Sequence, residues 1–122
     1  MEKALSNVTV LDLTRVLAGP YCTMMLADYG ANVIKIEMPG KGDDTRAMGP
    51  KKNDYSMYYA YVNRGKKGIT LNLKSEEGKK LFLEMVKKAD VVVENYRPGV
   101  MDKLGGGYDV LKEVNDQIIY AA

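Results

Sequence analysis

With 122 residues, 46% hydrophobic and 28% charged, the chain has the size and composition of one ordinary globular domain, which excludes disorder over most of its length. Its 18 basic and 16 acidic residues leave a net charge of +2, too small for a general attraction to nucleic acid or anionic membrane. Cys22 is the one cysteine and histidine is absent, which excludes an internal disulfide, a cysteine-built metal cage and a Ser-His-Asp or Cys-His site from this chain alone.

Residues 8–12 are short, β-branched and apolar, and predict a buried strand. Pro20 suits the first turn of a helix, where a missing N–H costs nothing. Tyr21, Met25, Leu26 and Tyr29 then recur at helical spacing, and Gly30 is placed to close that helix in a left-handed conformation. A second strand is expected over residues 32–37, apolar at Val33, Ile34 and Ile36. Residues 38–53 are polar and rich in glycine and proline, with no hydrophobic period, and predict a long surface loop. The tyrosine-rich stretch 55–61 predicts a helix or an irregular turn.

Residues 68–73 have the pattern of a third strand. Ser75 is a helix cap, with Glu76 and Glu77 complementing the positive end of the helix that follows. Leu81, Phe82, Met85 and Val86 are its expected buried stripe. A fourth strand falls at residues 90–94, one helical turn at Met101 and Leu104, a short helix at 108–114 and a fifth strand at 117–120. The expected fold is therefore α/β, a Rossmann-like, doubly wound and mainly parallel sheet. The last strand runs into Ala121-Ala122 with no closing cap, an ending expected of a cut rather than a finished domain. The start of the chain lacks the apolar stretch of a signal peptide and no run reaches membrane-spanning length, so the expectation is a cytoplasmic protein without membrane or nucleic-acid partners.

In open parallel sheets the ligand lies beyond the carboxyl ends of the strands. The segments expected there carry Arg15, Arg46, Lys74 and Arg97, beside backbone N–H groups near Pro20. Such a set can cradle a phosphorylated ligand. The same charges also suit solvated loops, and on spacing alone that reading is favoured. Known phosphate fingerprints fail: Leu17-Ala18-Gly19-Pro20-Tyr21 offers one glycine where a dinucleotide turn needs three, and no P-loop exists. Glu37 ends the second strand, where a ribose-binding carboxylate would stand. A phospho-receiver domain is excluded because Asp12 stands alone and the third and fifth strands lead into Leu73-Lys74 and Ala121-Ala122.

Val10-Leu11-Asp12-Leu13-Thr14-Arg15-Val16-Leu17-Ala18-Gly19-Pro20 resembles the opening motif of the family III CoA-transferases. The likeness continues through Leu26-Ala27-Asp28-Tyr29-Gly30-Ala31-Asn32-Val33-Ile34-Lys35-Ile36-Glu37, Gly42-Asp43, Asn63-Arg64-Gly65-Lys66-Lys67, Leu71-Asn72-Leu73-Lys74 and Ala89-Asp90-Val91-Val92-Val93-Glu94-Asn95-Tyr96-Arg97-Pro98-Gly99. Several motifs in register over nearly the whole chain are specific where any one alone is not. The resemblance implies a coenzyme A site with Val16, Leu17 and Ala18 at the adenine and ribose end. It implies that Leu71, Lys74, Asn95, Tyr96 and Lys103 complete that site, with no metal. One position departs: formyl-CoA transferase carries an arginine after the glutamate of the second strand, where this chain has Met38, leaving Arg15 or Arg46 to take a phosphate.

The resemblance further implies transfer of CoA between an acyl-CoA thioester and a carboxylic acid by a carboxylate nucleophile, and an interlocked homodimer of the full-length protein. The family's catalytic aspartate lies beyond the strand at 118–120, and none of Asp28, Asp43, Asp44, Asp90 or Asp102 matches its motif. Residues 1–122 are accordingly expected to form a CoA-binding segment that stops before the catalytic region and has no turnover alone. Two alternatives carry the same segment: an enzyme like α-methylacyl-CoA racemase, and a stand-alone ligand-binding domain.

Overall fold

The computed structural model describes residues 2–122. The elements run β1 (Thr9–Asp12), α1 (Ala18–Asp28), β2 (Asn32–Glu37), β3 (Lys51–Lys52), β4 (Tyr55–Ser56), α2 (Met57–Val62) and β5 (Lys67–Thr70). They continue with α3 (Glu76–Val86), β6 (Val91–Val93), α4 (Val100–Lys103), α5 (Tyr108–Val114) and β7 (Ile119–Ala121). Five strands form one parallel sheet in the order β5-β2-β1-β6-β7, and β3 and β4 pair as a separate antiparallel hairpin. The α/β, mainly parallel fold expected from the alternation of strands and helices is the fold observed.

Alternation along β1 divides the core. Leu11 and Leu13 face one side of the sheet with Ile36 and Val92, against Phe82 and Val86 of α3, Met101 of α4 and Leu111 of α5. Val10, Val33 and Val93 face the other side, against Ala31 and the half-buried Leu26 and Ala27 of α1. A strand covered on both faces must be apolar at successive positions, which is why the Val-Leu and Val-Val-Val runs have no polar alternation. Gly30 follows α1 at φ +104°, the left-handed closure expected of it.

Four local expectations need correction. Tyr21, Met25 and Tyr29 do not form the buried face of α1: they are 42%, 42% and 64% exposed, and Gly19, Pro20, Thr23 and Met24 are buried instead. Close approach fixes the start of that face, since a Cβ on Gly19 would lie 2.3 Å from the Thr14 Cβ, and Met24 is buried one turn further along. In α3, Leu81 is exposed, and the half-buried Leu83 and Met85 pack beside Phe82 and Val86. The third strand is Lys67–Thr70 rather than residues 68–73, because its partner β2 ends at Glu37. Leu71 donates its N–H to the Glu37 carbonyl at 2.9 Å and the chain then leaves the sheet. Finally, residues 38–53 are not structureless: they hold a 3₁₀ turn at Asp44–Ala47 and strand β3.

Candidate functional site

Strands β2 and β6 flank β1, and the chain order reverses there: β1, β2 and β5 run one way while β6 and β7 lie on the other side. A crevice beyond the carboxyl ends of the strands is the expected ligand position in such a sheet. A cleft of about 280 Å³ opens there, with Arg15 after β1, Glu37 at the end of β2, Leu71 and Lys74 after β5, and Tyr96 after β6. Leu71 and Tyr96 thus line one cleft together with Lys74. The remaining expected residues are placed differently. Val16, Leu17 and Ala18 form the exposed lip that follows Arg15, Asn95 lies beside that lip, and Lys103 is exposed on α4, next to the cleft-lining Leu104.

The lip is built from strain and pins. Val16 sits at φ +70°, a left-handed conformation that a β-branched side chain adopts at a cost of about 1–3 kcal/mol. Asn53 (φ +50°) and Asp54 (φ +60°) share this sign, but Asn and Asp tolerate it in a hairpin turn. Asn95 clamps the preceding residue from both sides, accepting the Arg15 N–H at 2.8 Å and donating its amide to the Arg15 carbonyl at 2.7 Å. Its side chain therefore holds backbone. Glu94, buried at the end of β6, accepts the Tyr96 N–H at 2.6 Å and the Tyr120 hydroxyl at 2.8 Å, and so fixes the start of the β6 loop. Burial raises the pKa of the Tyr96 hydroxyl, so it is neutral at physiological pH.

Beneath the lip lie two buried ion pairs. The Lys66 ammonium is 2.9 Å from Asp12, with side-chain exposures of 1% and 0%, and also donates to the Pro20 carbonyl at 3.0 Å and to Asn63 at 3.1 Å. Asp12 further accepts from Thr23 at 2.6 Å and from the amide and hydroxyl of Thr14. The second pair is Lys35 with Asp43 at 2.7 Å. Asp43 also caps the 3₁₀ turn by accepting from Thr45 N at 3.0 Å and Thr45 Oγ1 at 2.9 Å. Burial raises the Asp43 pKa, but the Lys35 ammonium and the Thr45 hydrogen bonds outweigh it and hold the carboxyl below its ordinary value. At Lys66 burial wins over Asp12 and depresses the ammonium. Sequence reasoning singled out none of Lys35, Asp43 or Lys66 as site residues. Their family motifs were visible, but nothing in a local pattern pairs β2 with the loop after it, or β1 with residue 66.

The cations divide into two kinds. Arg46 is committed: it donates to Glu37 Oε2 at 3.0 and 2.8 Å and to the Tyr59 hydroxyl at 2.8 Å, and its guanidinium lies 4.0 Å above the Tyr59 ring centroid. Arg15 lies 5.0 Å from the Tyr96 ring centroid. Among the described residues neither Arg15 nor Lys74 forms an ion pair. The N-terminus of α1 has no side-chain cap and no acid in its first turn, so its N–H groups and positive dipole end face the lip uncompensated. The arrangement offers two free cations, an open helix end and an apolar wall, which suits a ligand with an anionic part and a flat apolar part.

A family model described as CoA-transferase family III matches residues 5–122. The acetyl-CoA:oxalate CoA-transferase of Acetobacter aceti is 58% identical over 116 residues, covering 95% of this chain and 30% of that protein. The human succinyl-CoA:glutarate CoA-transferase is 50% identical over 121 residues, covering 98% of this chain and 28% of that protein. The chain thus spans less than a third of the length of these curated relatives. Among solved structures, a CAIB/BAIF family protein from Brucella suis superposes with a TM-score of 0.91 at 42% identity, over 98% of this chain and 33% of that one. A short chain dehydrogenase/reductase family protein superposes with a TM-score of 0.54 at 14% identity, a likeness of fold alone. The curated relatives carry transferase names, which does not favour the racemase alternative. With the opening motif, the parallel sheet and a match over residues 5–122 in agreement, the chain belongs to CoA-transferase family III.

Proposed function

We propose that this chain supplies the coenzyme-A-holding part of an enzyme that moves CoA between an acyl-CoA thioester and a carboxylic acid. The observation that carries this reading is the cleft, where unpaired Arg15 and Lys74 flank the apolar Leu71 and Tyr96 beside the uncapped α1. Phosphates of the nucleotide end of CoA meet Arg15, Lys74 and the α1 N–H groups, and the adenine lies against Tyr96 and Leu71. Met38 brings no charge to the cleft and Arg46 is held by Glu37, so the arginine that formyl-CoA transferase carries after its glutamate is replaced by Arg15. Lys103, exposed one turn along α4, meets the ligand's phosphates from outside the cleft.

The nucleophilic carboxylate belongs to a part of the enzyme other than residues 1–122, and the chain alone has no transferase turnover. Working enzyme is a homodimer of the longer protein in the cytoplasm, and uses no metal. Among the described residues no helix is long and apolar enough to cross a membrane.

Titration of the 122-residue chain with CoA by calorimetry tests the reading, and saturable one-to-one binding is expected. Lys74→Ala is expected to weaken that binding about fivefold at low ionic strength and less at high salt, because an exposed lysine acts through a screened field. Equal affinity of wild type and variant at every salt concentration removes Lys74 from the site, and absence of binding by the wild type removes the reading.

A further inference from the structure

Three successive residues leading into the lip, Thr14, Arg15 and Val16, have their backbone fixed by side chains from three separate places in the fold. Lys35, inside β2, donates to the Thr14 carbonyl at 3.1 Å. Asn95, after β6, takes both the N–H and the carbonyl of Arg15. Asp43, in the loop after β2, accepts the Val16 N–H at 3.3 Å. Lys35 and Asp43 are also paired with each other, with side-chain exposures of 2% and 0%. A buried ion pair gains little net stability over an apolar pair of the same size, so stability alone does not account for it. What the pair does accomplish is geometric, since it ties residues 14 and 16 to one rigid point while Val16 is held at φ +70°.

We propose that Lys35, Asp43 and Asn95 are positioning residues that hold residues 14–16 strained and ready, so that Arg15 and the open end of α1 are presented to the anionic part of the ligand before it arrives. The inference rests on the CoA-binding reading above and deepens it: the ligand meets a lip whose ordering is complete before binding. Preorganisation of this kind raises affinity by removing the loop-ordering cost from the binding step. Asn95, expected to contact CoA, then acts on it through Arg15.

Opposed effects on stability and affinity provide the test. Val16→Gly relieves the strain and frees the lip, so melting temperature is expected to rise by about 4 °C while affinity for CoA falls about fivefold. Val16→Ala controls for the lost isopropyl contact and is expected to keep most of the affinity, because alanine still confines the backbone. Equal losses in the two variants, or a glycine variant that is less stable or binds as well as wild type, overturn the proposal. A second measurement needs no ligand. In Asn95→Ala, hydrogen exchange at the Arg15 and Val16 amides is expected to accelerate about tenfold with exchange in β1 unchanged. Unchanged exchange at both amides overturns the pin. Failure of wild-type chain to bind CoA would sink the functional reading, and the exchange result, which involves no CoA, would then support or overturn the pin on its own.

Discussion

The amino ends of α1 and α3 both follow the carboxyl ends of sheet strands, β1 and β5, and are finished in opposite ways. At α3, Ser75 Oγ accepts the Gly78 N–H at 3.0 Å, its hydroxyl donates to the Asn72 carbonyl at 2.9 Å, and Glu76 and Glu77 occupy the first turn. At α1 no side chain caps the helix, no acid balances its dipole, and the approach runs through a strained valine. Both ends use a glycine for close approach: a Cβ would lie 2.3 Å from the Thr14 side chain at Gly19 and 1.9 Å from the Asn72 carbonyl oxygen at Gly78. Tight packing is therefore common to the two, and the missing cap is not. A helix end capped by its own serine and balanced by its own acids offers less to an anionic ligand, whereas one left open and held from beneath by buried charge retains its donors and its positive end. On the proposed CoA-binding reading, the difference separates an end finished for stability from an end left for a ligand.

The comparison breaks if the buried charge beneath α1 is dispensable. Lys66→Met leaves Asp12 without its ammonium partner, and a loss of about 3–5 kcal/mol is expected in urea unfolding. A loss as small as that of an exposed pair would show that α1 is seated by apolar contacts alone. At the other end, Ser75→Ala is expected to cost about 1 kcal/mol, with CoA affinity unchanged. An affinity loss there would erase the division of labour between the two helices.

The smallest expected effect is a dependence on acid. Because the folded-state pKa of Asp43 lies below its ordinary value of 3.8, its stabilising contribution is present above that value and disappears as pH falls through the folded pKa. The stability difference between wild type and Asp43→Asn is therefore expected to be constant near neutrality and to shrink below about pH 4. Paired urea titrations across that range measure it, and a difference that stays constant down to pH 2 would mean that Asp43 is not held ionised by Lys35.

Much of the sheet was legible because apolar runs of four to six residues, separated by glycine and cap residues, allow few other readings. The Ser75 cap and the Gly30 closure were legible for the same reason, since each acts within one turn of its own residue. The face of α1 was not legible. Tyr21, Met25 and Tyr29 repeat at helical spacing, yet the buried face is turned away from them onto Gly19, Pro20, Thr23 and Met24, where Gly19 allows the close approach to Thr14. Likewise Lys35 is 1% exposed in a strand whose pattern showed only its apolar neighbours. Arg46 looked as available as Arg15 until folding set it against Glu37.

By itself the sequence determined the order of the five sheet strands and their main helices, the parallel α/β class and the family, because strand, cap and motif patterns are local and survive without coordinates. Tertiary structure decided which cations are free, which are spent on carboxylates, and that residues 14–16 are pinned from β2, from the loop after it and from the loop after β6. Those outcomes depend on groups 8 to 80 positions apart meeting at distances of about 3 Å, which no periodicity along the chain encodes.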